Sequence, residues 1–187
     1  MHLTPFPSTD QTLVAKALSG SQRAWTKLVR RYEQEVFNHA LRMTGHHDDA
    51  RDLTQDIFLA VFRNLPSFRG DARFRTWLYR IAKNRSIDLL RKRQKLVSID
   101  TLGDCPELSQ AGDVDHFHDN CEVIALLRLL SSEQRLILEL KFFQQFTFEE
   151  IGAQMNTSSN TAKTRYYAAL NKLKSTSEAN HDAAQSL

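Results

Sequence analysis

Between Ser21 and Thr44 the apolar residues Trp25, Leu28, Val29, Tyr32, Val36, Ala40 and Met43 recur every three to four positions. That period places them on one stripe of an α-helix and leaves no reading as an alternating strand. Gly45 follows the last of them, where a C-terminal cap belongs. The period returns twice. A second helix is predicted over Asp48–Asn64, with Leu53, Ile57 and Val61 on one face, Phe58 and Phe62 broadening it, and Pro66 ending it. A third, over Ala72–Arg93, turns Trp77, Leu78, Ile81, Ala82, Leu89 and Leu90 inward and leaves Arg80, Lys83, Asn84 and Arg91 on the other side. With a short opening helix at Gln11–Leu18, these make one block. Only 6 Gly and 4 Pro occur in 187 residues, and strand-type alternation is scarce, so the chain reads as all-helical.

A second block follows a compositional break. Ile99–Asn120 holds six acids, two Gly and a Pro, no Lys or Arg, and no apolar period, which marks a tether. Beyond it, Ser131 with Gln134 and Thr147 with Glu150 form two capping boxes, ahead of Leu136–Phe143 and Ile151–Met155 respectively. A polar break at Asn156–Ser159 precedes a last helix, Asn160–Lys174, and the tail after Ser175 is expected to fray. Short helix, tight turn, longer basic helix is helix-turn-helix organisation. The expected division is 11–95 for the first domain, 96–120 for the linker, 121–176 for the second domain and 177–187 for the tail.

Charge is distributed unevenly. Residues 63–95 carry eleven cations against two anions, a net of +9, whereas the whole chain is only +3. In Phe68–Lys95 these cations are interleaved with aromatic residues, the combination that holds melted DNA: phosphates take Arg and Lys, and unstacked bases take aromatic faces. In the last helix, Lys163, Thr164, Arg165 and Tyr167 lie in the half that a recognition helix inserts into the major groove, while Ala162, Tyr166, Ala169, Leu170 and Leu173 pack inward. A surface helix with scattered cations is the plainer alternative. Asp48, Asp49, Asp52 and Asp56 gather near the start of the second helix. Part of this compensates the helix dipole, and the residues alone read as a solvated acidic face, although Asp52, Gln55, Asp56 and Leu59 also form a strip suited to a protein partner.

Other classes find no support. No apolar run approaches the roughly 20 residues that cross a bilayer, so no membrane insertion is expected. The N-terminus MHLTPFPSTD has neither the cationic start nor the apolar core of a secretory signal. Two cysteines, Cys105 and Cys121, are too few for a disulfide scaffold and fit a reducing, cytoplasmic setting. His116, His118 and Cys121, with Cys105 nearby, lack the paired-cysteine spacing of zinc sites and read as linker residues. No phosphate loop, nucleophile elbow or apolar carboxylate pair is present, so no cofactor and no enzymatic activity are expected.

The stretch DARDLTQDIFLAVFRNLPSFRGDARFRTWLYRIAKNRSIDLLRKR resembles region two of the extracytoplasmic-function (ECF, group IV) bacterial sigma factors, and LSSEQRLILELKFFQQFTFEEIGAQMNTSSNTAKTRYYAALNKL is similar to their region four. The resemblance implies two small helical domains and a protein that binds core RNA polymerase, recognises promoters and opens them. It reverses the plain reading of the acidic face: Asp52, Gln55, Asp56 and Leu59 fall where the family contacts the clamp helices of the largest subunit, with the flap as a further polymerase contact. Phe68, Arg69, Arg80, Lys83 and Asn84 fall where it meets the −10 strand, Phe68 shaping a pocket for a flipped base. Ser159, Thr161, Lys163, Thr164, Arg165 and Tyr167 fall on the helix that reads the −35 element. An anti-sigma partner is implied as well. The chain departs from the family at Ser158 and Asn160, where Pro and Gly are frequent, and at Ala162, where a larger aliphatic residue is common. Asn160 is expected to tolerate a left-handed backbone there. The rival reading is a helix-turn-helix regulator that never joins polymerase. It leaves the first block unexplained.

Overall fold

The computed structural model describes the backbone of residues 9–97 and 123–185, and side chains as far as 93 and 176 within those spans. Among them there is no strand. The helices are α1 (Asp10–Leu18), α2 (Gln22–Thr44), α3 (His47–Asn64), α4 (Phe74–Val97), α5 (123–128), α6 (Ser132–Leu138), α7 (Phe148–Met155) and α8 (Ser159–Gln185). The expected linker, and with it Cys105, His116, His118 and Cys121, lies outside the described residues.

Local chemistry sets most of the boundaries. Ser21 caps α2 by accepting from Ala24 N, and Gly45 closes it at φ 79°, donating to Leu41 O. A left-handed residue here favours glycine. Both capping boxes form reciprocally, at Ser131/Gln134 and Thr147/Glu150. The predicted stripe of α2 is buried at Leu28, Tyr32, Val36, Ala40 and Met43, with Trp25 and Val29 half-buried, and His39 joins it.

Four expectations need correction. α4 begins at Phe74 rather than Ala72, because Gly70 at φ 80° still turns the chain just ahead of it. The apolar run Leu136–Phe143 is not one α-helix. It changes to a π-helical turn at Glu139–Phe143, which buries Glu139 and Leu140 and leaves Phe142 64% exposed. α8 starts a residue early, on the Ser158 hydroxyl that accepts from Thr161 N at 3.1 Å, and continues to Gln185 rather than fraying after Ser175. The left-handed residue of the turn is Asn156 (φ 52°), while Asn160 is helical.

The two blocks share one core. A single apolar cluster runs from Leu28, Val36, Leu78 and Tyr79 to Leu136, Ile137, Leu140, Phe146 and Ile151. Tyr79, which the sequence did not place inward, is fully buried with its ring 5.6 Å from that of Phe146. Polar contacts cross the same seam. The Glu139 carboxylate accepts from Arg42 Nε at 2.5 Å and Nη2 at 2.9 Å, and from Gln144 Nε2 at 2.9 Å. His39 Nδ1 lies 3.4 Å from it without hydrogen-bond alignment. Burial alone would raise the pKa of Glu139, but the hydrogen bonds and charge of Arg42, with the His39 ring close by, more than offset that and hold it down to about 2. Arg135 Nη1 donates to Met43 O at 2.6 Å and Arg128 Nη2 to Gly45 O at 2.8 Å, so two guanidinium groups satisfy carbonyls at the end of α2.

Candidate nucleic-acid interface

α3 buries Leu53, Ile57, Ala60 and Val61 against α2, and this fixes what faces out. Asp52, Gln55, Asp56 and Leu59 are all exposed, at the i, i+3, i+4, i+7 spacing of one helix face. Phe62, expected on the inner face, lies instead beside them, 54% exposed with its ring edge-on to Trp25 at 5.1 Å. The strip is therefore acidic at its start and apolar at its end. Continuing the same spacing one turn past Leu59 would have found Phe62.

The loop after α3 is pinned by aromatic packing. Pro66 sits in a short 3-10 turn, Leu65–Ser67, and Phe68 N donates back to Leu65 O at 3.0 Å. The half-buried Phe68 ring lies 5.3 Å from Trp77 and 5.8 Å from Phe74, so it belongs to an aromatic cluster roofed by the loop. Arg69 is exposed on that loop. Along α4, burial of Phe74, Trp77, Leu78 and Ala82 leaves Arg80, Asn84 and Arg91 on the outer surface.

Lys83 departs from this pattern. Its ammonium donates to Gln154 O on α7 at 2.5 Å, and its pKa is lowered by burial and then by neighbouring Arg80. Lys83 is thus turned into the seam rather than presented to solvent.

In the second block the crossing of α7 and α8 depends on Gly152. A Cβ there would meet Thr157 O at 2.8 Å and Ser159 N at 3.1 Å. Removing the side chain lets the turn close, and Thr157 N donates to Gly152 O at 2.9 Å. Ala162 and Ala169 are buried on the inner face of α8, and Tyr166 packs on Phe148. Lys163, Thr164 and Tyr167 are exposed and share a face with Asn160, which was expected in the turn and not on the DNA-reading face. Arg165 lies on another side, 3.7 Å from Glu133. Ser159 and Thr161 are half-buried in the first turn, where the Thr161 hydroxyl pairs with that of Ser158 at 2.8 Å. The six residues assigned to the −35 element thus do not converge on one face.

Two surfaces meet. Lys83, Asn84 and Arg91 from α4 face Glu133, Met155 and Arg165 across a cleft of ≈ 350 Å³. Among the described residues no cluster of His, Cys, Asp and Glu could hold a metal ion, and no helix is long and apolar enough to cross a membrane.

Comparison with known proteins places both blocks. Residues 28–96 match Sigma-70 region 2, and residues 122–173 match Sigma-70, region 4. The ECF RNA polymerase sigma-E factor of Escherichia coli K12 is 30% identical over 173 residues, covering 86% of this chain and 90% of the relative. The chain belongs to the ECF RNA polymerase sigma factors. A second relative, the ECF RNA polymerase sigma factor SigE of Mycolicibacterium smegmatis, is 30% identical over 165 residues, but this sigma factor spans only 63% of that protein's length. Among solved structures, CnrH in complex with the cytosolic domain of CnrY aligns with a TM-score of 0.71 at 26% identity, over 92% of this chain and 99% of that one. As a sigma factor, the chain is a transcription initiation factor that acts with core RNA polymerase.

Proposed function

We propose that this sigma factor divides its work among three surfaces. The outer strip of α3 (Asp52, Gln55, Asp56 and Leu59, extended by Phe62) docks on the clamp helices of core polymerase. The outer face of α4 with the Phe68 loop (Phe68, Arg69, Arg80 and Asn84) takes the melted −10 strand, and Lys83 joins them only if it leaves Gln154 O. The start of α8 (Ser159, Thr161, Lys163, Thr164, Arg165 and Tyr167) reads the −35 duplex, with Asn160 added to its outer face. The observation that carries this reading is the exposure, on adjacent helices, of an acidic and apolar strip and a cationic face flanking an aromatic loop. The first suits a protein partner and the second a nucleic-acid strand. A helix-turn-helix regulator working apart from polymerase accounts for α7 and α8 but gives the strip on α3 no task. An anti-sigma protein covering these surfaces remains part of the reading, its chemistry set by the same cations and exposed apolar residues.

The test is reconstitution with core polymerase. Asp52→Lys combined with Asp56→Lys is expected to stay helical, because both residues are exposed and surface reversals cost at most about 0.5 kcal/mol of fold stability. The double variant is expected to fail in holoenzyme assembly, since it reverses the charge of the docking face. Wild-type recovery in a pull-down would remove the assignment of this face.

A further inference from the structure

The first turn of α8 holds a residue without a structural task. Ser158 is the cap, its hydroxyl accepting from Thr161 N at 3.1 Å, so Asn160 is not needed to satisfy the helix start. Nor does Asn160 add helix propensity, since Asn is among the weaker helix formers. Its side chain is exposed, and its amide makes no hydrogen bond among the described residues. One turn on, Thr164 is exposed as well, but its hydroxyl donates back to Asn160 O at 3.0 Å. The proton that could probe a base edge is spent on the backbone, and the methyl group is left as the outward part of the side chain. A free amide and a methyl thus stand one above the other on a single helix face. Arg165, the more obvious reader of bases, lies on another side near Glu133.

We propose that Asn160 and Thr164 set which upstream sequence this sigma factor uses: the Asn160 amide selects an adenine, and the Thr164 methyl selects a thymine one or two base pairs away. The proposal rests on the preceding reading that the start of α8 enters the −35 duplex, and it names bases read there.

In the major groove adenine shows an N7 acceptor beside an N6 donor. An amide matches both at once, Nδ2 donating to N7 and Oδ1 accepting from N6. Guanine shows two acceptors in the same places, which would set its O6 against Oδ1 and leave both unmatched. Thymine carries a C5 methyl group into the groove, and a second methyl against it takes both out of water. Residues one turn apart have Cβ atoms about 5–6 Å from each other, and successive base pairs stack about 3.4 Å apart. The two contacts therefore fall on adjacent or next-but-one pairs. Gly, frequent in the family at position 160, has no side chain with which to make the first of them, so this preference belongs to the present chain.

The test is selection by the full-length protein, assembled with core polymerase, from duplexes randomised along their whole length, followed by sequencing of the bound pool. The wild type is expected to enrich one upstream A·T pair and, one or two pairs away, a second. Asn160→Ala is expected to lose the first preference alone, by about tenfold. Thr164→Ser should lose the second alone, by about fourfold, the worth of one buried methyl group. Thr164→Val keeps the methyl and should keep the preference. An upstream element that Asn160→Ala and Thr164→Ser leave unaltered overturns the proposal, and so does a common loss across all sequences. A preference kept by Thr164→Ser and lost in Thr164→Val also overturns it, because the hydroxyl would then be the reader. A wild type that binds the pool with no upstream preference removes the underlying reading of α8, and this proposal with it.

Discussion

Asn84 and Phe68 carry the same proposed task, one exposed and the other half-buried, and a mutation separates them. Asn84 is exposed on α4 and forms part of the cleft wall. Asn84→Ala is therefore expected to leave thermal stability unchanged while reducing open-complex formation by roughly tenfold to a hundredfold, the value of one base contact at about 1–3 kcal/mol. Phe68 also packs on Phe74 and Trp77. Phe68→Ala should lose roughly 2 kcal/mol of stability in addition, short of the 3–5 kcal/mol of a fully buried ring. Permanganate footprinting alongside thermal melts checks both. If Asn84→Ala opens promoters as well as the wild type does, the strand contact lies elsewhere on α4.

At the scale of the element, what the sequence made legible was what neighbouring residues decide among themselves. The stripe of α2, the glycine that closes it and both capping boxes depend on residues within a few positions of one another, and all four formed where expected. The inner and outer faces of α3 and α4 followed from the helical period for the same reason, except at Phe62, which is exposed, and Lys83, which turns into the seam. Three features escaped because their cause lies across the molecule. Tyr79 looks like an ordinary aromatic residue of a basic helix until Phe146 covers it. Glu139 reads as a solvated acid in an apolar run until Arg42 receives it, and Lys83 reads as a phosphate ligand until Gln154 O accepts its hydrogen bond. The helix-turn-helix lies between these cases. Its pattern was visible, but the steric demand at Gly152 was not. Gly152→Ala forces a methyl against the backbone of Thr157 and Ser159. The expected loss is about 1–3 kcal/mol, as for other overpacked sites, read as a lower denaturation midpoint. An unchanged midpoint would mean that the turn can relax.

Over the whole molecule, a core that spans both blocks implies that they unfold together. Both tryptophans, Trp25 and Trp77, lie in the first block, whereas helicity reports on both. Fluorescence and far-ultraviolet dichroism are therefore expected to trace one coincident urea transition in the wild type. Glu139→Gln, which weakens the Arg42 contact within that shared core, should lower the midpoint of both traces together. Transitions that already diverge in the wild type would mean that the shared cluster contributes little to stability.

The partnerless hydroxyl of Tyr79 gives away stability that the fold could keep. Deleting it in Tyr79→Phe relieves the folded chain of a buried donor and leaves the ring on Phe146, an exchange that is neutral or stabilising. The variant should melt no lower than the wild type, and a clear drop in melting temperature would mean that the hydroxyl has found a partner. A chain that forgoes so cheap a gain is not one tuned for the greatest robustness.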